Sequence, residues 1–335
     1  IDHQLGKFIE KAGLGSGHVK TLSAPLAIGF APGLQDAVFR RWPRLDGEPP
    51  LRPVSAAMTI LVASPAVLPF PPVDPVLFSL GPFAVRWYAL AYIAGLLFAS
   101  WYMKRLVSTP RLWGGQTPSM TPGQVDDFFI WSVLGVVLGG RLGYVLFYKP
   151  GYYLTHPLDI LRLWDGGMSF HGGFLGVVLV CIIYGRRIGT SLDRMLDLGA
   201  ASVPVGIGLG RLANFVNGEL WGRVSDVPWA FVFPLDELQL PRHPSQLYEA
   251  LLEGLVLFLA VRVATHRYGA LQHPGRASGV FALVYGLSRI LVEWVREPDP
   301  FLGYFAGVFT MGMILSLPLC VVGVWLLLRS RREPA

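Results

Sequence analysis

Charged side chains are scarce in this chain. Only 15% of its 335 residues are Asp, Glu, Lys or Arg, against about a quarter in a soluble globular domain. That shortage, beside 53% hydrophobic residues, argues against an ordinary soluble protein and for a mostly helical integral membrane protein. Cysteine is nearly absent. Cys181 and Cys320 both lie inside apolar runs; they are too few for a disulfide framework or metal cluster and are expected as buried reduced thiols. There is no His-x-x-x-His pair for zinc, no Gly-x-Ser-x-Gly nucleophile elbow and no exposed cysteine, so any nucleophile should arrive with a substrate. Gly206-x-Gly208-x-Gly210 lacks the preceding strand and following acidic residue of a dinucleotide loop. The net charge of +6 does not indicate nucleic acid, because the basic residues lie between apolar runs instead of along one face.

What is abundant is apolar sequence at helix-spanning length. Residues 1–69 are mixed and punctuated by proline and glycine. They are expected to be a poorly ordered extension, with Met58 as a natural start. From residue 70 to 335 the pattern is that of one transmembrane domain. Val76–Pro82 is expected along the interface, followed by seven hydrophobic helices: Val85–Met103, Phe128–Tyr148, His171–Tyr184, Leu196–Arg211, Leu247–Ala264, Gly279–Val295 and Phe305–Leu328. The fold class expected is therefore all-α, a bundle of about seven transmembrane helices with a polar, lipid-accessible central cavity. Gly135, Gly139 and Gly143 recur every four residues, a spacing that lets helix backbones approach closely in lipid. Basic residues favour alternate loops: Lys104, Arg105 and Arg111, then Arg186, Arg187 and Arg194, then Arg262, Arg267 and Arg276, and finally Arg329, Arg331 and Arg332. By the positive-inside rule these face the cytoplasm, so the bundle starts outside and ends inside.

With that orientation the unusual polar residues gather on the outer side. Trp164–Gly173 enters the third helix there and brings His171. Arg211 to Arg223 leaves the fourth helix with Asn214, Asn217 and Glu219, and Arg242–Glu249 enters the fifth. Tyr285, Ser288, Arg289, Glu293 and Arg296 line the outer half of the sixth. Ionisable groups are costly at this depth and mark function. Each also has a plainer role: Arg211 and Arg289 as ion-pair partners of Glu219, Glu249 or Glu293, the asparagines as helix-end donors, Tyr88 as an interfacial anchor, Asp197 as a cap or ion-pair partner. Convergence of several segments favours a site. Arginine's planar fork suits a phosphate, and histidine can accept a proton near neutral pH. The rival from another class is a transporter or flippase for an anionic phospholipid, which an inverted repeat would favour; none is found.

These segments, Asp165–Gly173, Gly210–Arg223, His243–Glu249 and Ser288–Asp299, closely resemble the prolipoprotein diacylglyceryl transferases of bacterial inner membranes. The Gly-Arg-x-x-Asn-Phe-x-Asn-Gly-Glu signature stands at Gly210–Glu219, and the resemblance runs from about Phe70 to Leu328. It implies transfer of diacylglyceryl from phosphatidylglycerol to the lipobox cysteine of a prolipoprotein, with glycerol phosphate released. The partners implied are phosphatidylglycerol, the prolipoprotein signal peptide and membrane lipids, with no cofactor and an active site toward the periplasm. By position, Arg211 resembles the phosphatidylglycerol-binding arginine, Arg289 its partner and His171 the essential histidine, here the candidate base. Tyr88, Asn214, Glu219, Gly222, Tyr285 and Glu293 match other positions the family depends on, as does Asp197. Ala89 stands where glycine is common, and Phe233–Pro241 is shorter than the corresponding arm of many members.

Overall fold

The computed structural model describes residues 68–81, 83–298, 305 and 308–331. The expected extension up to residue 67, Met58 included, lies outside them. The described chain is largely helical. Its first element is instead a hairpin: β1 (Val76–Leu80) pairs antiparallel with β2 (Phe83–Arg86), where an interfacial segment and a helix start were expected. Val85 and Arg86 are thus extended, and α1 (Trp87–Val107) begins only after them.

The helices that follow start and stop on local signals. Thr121 caps α2 (Pro122–Phe147) by accepting the Gln124 N–H, and the Gln124 side chain returns the bond to the Thr121 N–H. Ser169 caps α3 (Phe170–Ile188), which ends at Gly189 in the left-handed region, φ 71°. Both helices run longer than the apolar runs alone suggest. The expected fourth helix is broken in two, α4 (Leu192–Ser202) and α5 (Pro204–Val216), bent by 44°. Pro204 has no N–H to donate back into α4 and has the φ of a first-turn residue, so the chain restarts there. The fifth helix opens as α6 (Ser245–Glu249), widens into a π-helical stretch (Ala250–Val256) and continues as α7 (Leu257–Arg267). α8 (Arg276–Glu293) follows, and α9 (Met311–Arg329) begins six residues later than expected, behind a Thr310 cap.

Among the described residues, three helices are long and apolar enough to cross a membrane: α2, α3 and α9. The count becomes four if the bent α4–α5 pair is one span. Their flanks expose residues such as Ile130, Leu142, Leu179 and Val321, as expected for a surface solvated by lipid. The molecule is an integral membrane protein of the all-α class, with two short hairpins attached.

Packing follows small residues. A Cβ on Gly139 or Gly176 would strike the facing backbone, so α2 and α3 lie closer than any side chain allows. The sequence spacing at Gly135, Gly139 and Gly143 anticipates this contact. At one end of the bundle Tyr102, Met103, Leu106, Trp113, Met195, Leu198 and Val261 form a buried core. Asp197 is buried above it and does the work of a cap from a distance: its carboxylate accepts the Gly275 N–H at 2.7 Å, the Ser278 N–H at 2.7 Å and the Ser278 hydroxyl at 2.8 Å. Three donors at the start of α8 are thus satisfied by α4. Both cysteines are free thiols; Cys181 is buried and Cys320 half-buried.

Candidate active site

Glycine brings the first charged residue into place. Gly208 on α5 faces Gly254 in the π-helical stretch, and a Cβ on Gly254 would sit 2.6 Å from the Gly208 Cα. With no side chain between them, the two backbones meet, and Arg211, one turn further along α5, reaches across. Its Nε lies 3.0 Å from Glu249 Oε2 and its Nη2 3.2 Å from Glu253 Oε2. Arg289 arrives from α8 on the other side. Its Nη1 is 2.8 Å from Glu249 Oε1 and 3.6 Å from Glu253 Oε1, and its Nη2 is 2.5 Å from Glu293. Arg296 adds a third guanidinium, 2.5 Å from Glu249 Oε1.

The cluster is balanced. Arg211, Arg289 and Arg296 face Glu249, Glu253 and Glu293, so its formal charge is zero. Glu249 and Glu253 are fully buried, and charges there persist only because they are paired. Pairing is incomplete, however: among the described residues neither Glu249 Oε2, which meets Arg211 only as an ion pair, nor Glu253 Oε1 accepts a hydrogen bond. Glu293 is held from a further side by the Thr310 hydroxyl at 2.6 Å. Tyr285 lies within electrostatic reach of Arg211, Arg289 and both buried glutamates.

A second layer is built from the glycine-asparagine signature. Glu219 Oε1 accepts from Asn214 Nδ2 at 2.9 Å and from Asn217 Nδ2 at 3.3 Å. Glu219 therefore partners the asparagines and not an arginine. The loop after it is stitched to its neighbours through backbone: Gln246 donates to the Glu219 carbonyl at 2.6 Å and Ser245 to the Leu220 carbonyl at 3.0 Å. Leu220 holds φ 59°, an uncommon conformation for a branched side chain. The Gly222 N–H donates to the His243 carbonyl at 2.8 Å. A Cβ on Gly222 would lie 2.7 Å from His243 Cβ and would also strike the Val295 carbonyl, which explains why glycine fits there. Arg223 then donates to the Arg296 and Glu293 carbonyls. The signature loop, the Arg242–Glu249 strap and the end of α8 thus form one unit.

Beside this unit sits the short arm. β3 (Phe231–Val232) pairs with β4 (Pro241–Arg242). Buried Arg242 forks onto Asp236 at 2.6 and 3.1 Å, and this guanidinium holds the Asp236 carboxyl below the usual carboxylate range. Phe70, Phe215, Phe231 and Phe233 pack ring against ring beneath it.

Of the residues singled out from sequence, the structure brings together Arg211, Arg289, Glu293 and Tyr285 in the charged cluster, and Asn214, Glu219 and Gly222 in the adjoining loop. Tyr88 joins more loosely. Its hydroxyl accepts from Tyr92 at 3.2 Å, and Tyr92 is within electrostatic reach of Arg211 and Glu219. His171 stands apart. It lies exposed in the first turn of α3, edge-on to Phe170, and makes no hydrogen bond or ion pair with any described residue. Sequence reasoning missed Glu253 and treated Glu249 only as an arginine's partner. Two carboxylates four residues apart inside an apolar run were the available signal, since such a pair requires buried cations. Arg141 was missed for the same reason. It is buried in α2 and donates to the carbonyls of Asp159, Ile160, Arg162, Gly166 and Gly167, holding the loop that leads to His171.

Comparison with known proteins covers most of this chain. A family model described as prolipoprotein diacylglyceryl transferase matches residues 75–329. Proteins from Brucella canis and Brucella ovis named phosphatidylglycerol–prolipoprotein diacylglyceryl transferase are each 55% identical over 278 residues, covering 83% of this chain and 98% of theirs. A protein of the same name from Brucella abortus matches to the same extent. The matched region contains the charged cluster, the signature loop and the strap. The chain belongs to the prolipoprotein diacylglyceryl transferase family.

Proposed function

We propose that this protein transfers diacylglyceryl from phosphatidylglycerol to the lipobox cysteine of a prolipoprotein, releasing glycerol phosphate. The observation that carries the reading at residue level is the meeting of Arg211 and Arg289, from separate helices, on one buried carboxylate, Glu249. Two planar donor forks fixed at one point suit the oxygens of a phosphodiester. The glutamates hold both forks in orientation in the resting state, and the phosphate takes their place as an acceptor when lipid enters.

The step is a displacement. The cysteine sulfur attacks the glycerol carbon bearing the phosphate, a C–S bond forms, and the C–O bond breaks with its electron pair leaving on the phosphate. Arg211 and Arg289 stabilise that growing charge, the kind of interaction that strengthens in the transition state. The thiol proton, from a group with an unperturbed pKa near 8.5, passes to His171, directly or by relay. Asn214, Glu219 and Gly222 position the loop that flanks the lipid, with Tyr88 and Tyr285 beside it and Glu293 bracing Arg289. In this reading the chain crosses seven times, counting α1, the α4–α5 pair, the α6–α7 run and α8, its basic loops lie in the cytoplasm, and the arginine cluster faces the periplasm, open laterally to lipid. The test is purified protein with phosphatidylglycerol and a lipobox peptide. A peptide mass increase equal to one diacylglyceryl group is expected. Lipid movement without that product would mean a transporter instead.

A further inference from the structure

A cavity lies at the other end of the same helices. It encloses about 420 Å³ and is lined by Trp101, Tyr102, Arg105, Arg111, Arg262 and His266 among others. Arg262 is thirteen residues along its helix from Glu249, roughly 20 Å at 1.5 Å per residue, so this cavity is remote from the transferase cluster. No carboxylate lines it.

Its arginines differ from the basic groups around them. Lys104 pairs with Asp126 at 2.5 Å, Arg329 with Asp193 at 2.7 Å, and Arg194 donates to Gln116 at 2.7 Å. The Arg105 and Arg111 side chains, by contrast, make no ion pair or hydrogen bond with any described residue. Among the described residues, the Arg262 side chain meets the Tyr102 hydroxyl at 3.1 Å and the face of the same ring. His266 stacks on Tyr102 and uses Nδ1 toward Thr265 and the Arg262 carbonyl, with Nε2 bound to none of the described residues. Among the described residues, three guanidiniums line this cavity with no carboxylate to balance them, beside an exposed tryptophan that offers an apolar wall for acyl chains.

We propose that this cavity binds the phosphate of an anionic phospholipid, as a site separate from the one that consumes phosphatidylglycerol. Basic pockets between helices near a membrane surface recognise such headgroups. Its assignment to the cytoplasmic leaflet rests on the orientation proposed above; the anion chemistry does not. Free phosphate would satisfy the same donors, so the test has two arms.

In the first arm, the full chain is placed in phosphatidylcholine nanodiscs containing diazirine-tagged phosphatidic acid, and labelled peptides are mapped by mass spectrometry. Labelling at residues 101–111 and 262–266 is expected, and R105Q/R111Q should weaken it by about 30-fold, each basic residue near a lipid surface contributing roughly fivefold. Transfer from phosphatidylglycerol to the lipobox peptide should be unchanged in that variant, which also shows that it is folded. Should the double variant fail to fold, R111Q alone, on an exposed turn, should lose about fivefold. Equal labelling by tagged phosphatidylcholine, or labelling that survives the substitutions, overturns the proposal. In the second arm, inorganic phosphate is titrated into protein in neutral detergent and followed by ³¹P line broadening. Broadening that depends on Arg105 and Arg111, combined with no lipid labelling, would make free phosphate the ligand and overturn the lipid assignment.

Discussion

Replacing Arg211 with lysine tests the charged cluster most directly, because it keeps the charge and removes the fork. In the structure the Nε and Nη2 of Arg211 serve different carboxylates, Glu249 at 3.0 Å and Glu253 at 3.2 Å. One ammonium cannot hold both positions. If it stays with Glu249, Glu253 retains only Arg289 at 3.6 Å, inside a fully buried site. Breaking a buried pair costs about 3–5 kcal/mol, and losing one donor to a developing anion lowers turnover by roughly 10² to 10³. The expected result for R211K is therefore a lower Tm in detergent together with a fall of at least about 10² in kcat/KM for phosphatidylglycerol. The double variant R211K/E253Q separates the two roles. Removing the orphaned carboxylate should recover most of the Tm but not the transfer rate. The reasoning fails if R211K keeps kcat/KM within about threefold of wild type, less than about 0.7 kcal/mol of transition-state stabilisation.

Three further outcomes follow from the same geometry. E253Q alone leaves the cluster one positive charge in excess, so KM for phosphatidylglycerol should fall on the order of tenfold, as for a like charge removed about 10 Å from the phosphate; steady-state kinetics with varied lipid would show an unchanged or higher KM if the glutamates do not compete with the headgroup. G222A forces a methyl against the His243 and Val295 backbone and should cost about 1–3 kcal/mol, seen as a lower Tm and lost transfer; wild-type behaviour would mean the three segments are not in contact. Asp236, whose folded carboxyl lies below its usual range, adds stability to the arm that is complete above the ordinary carboxylate range near pH 4 and is lost as pH falls through the depressed value. Limited proteolysis across residues 225–242 should therefore accelerate on acidification in wild type, whereas D236N should be cleaved readily at neutral pH; equal resistance in both would contradict the pairing with Arg242.

Much of the helical architecture is legible in the sequence, because lipid imposes a blunt rule. Every backbone polar group must be satisfied within its own segment, so an apolar run becomes a helix; of the seven runs, the described residues hold three helices, or four with the bent pair, long and apolar enough to cross. Gly135, Gly139 and Gly143 announced a close helix contact for a similarly local reason. Arg211, Arg289 and the signature loop were also visible, since charge inside an apolar sequence stands out. What composition and spacing could not reveal was pairing. Asn214 and Asn217 turned out to serve Glu219, Asp197 caps a helix eighty residues away, and Glu253 became a member of the site only once Gly208 and Gly254 let two backbones touch. The break at Pro204 and the hairpin at Val76–Arg86 likewise departed from hydropathy, which registers how apolar a residue is and not which way its backbone turns. Sequence by itself settled the class, the family and the residues that carry charge. Which cation meets which anion was decided by tertiary structure alone, because electrostatic balance depends on distances between helices that no single segment encodes.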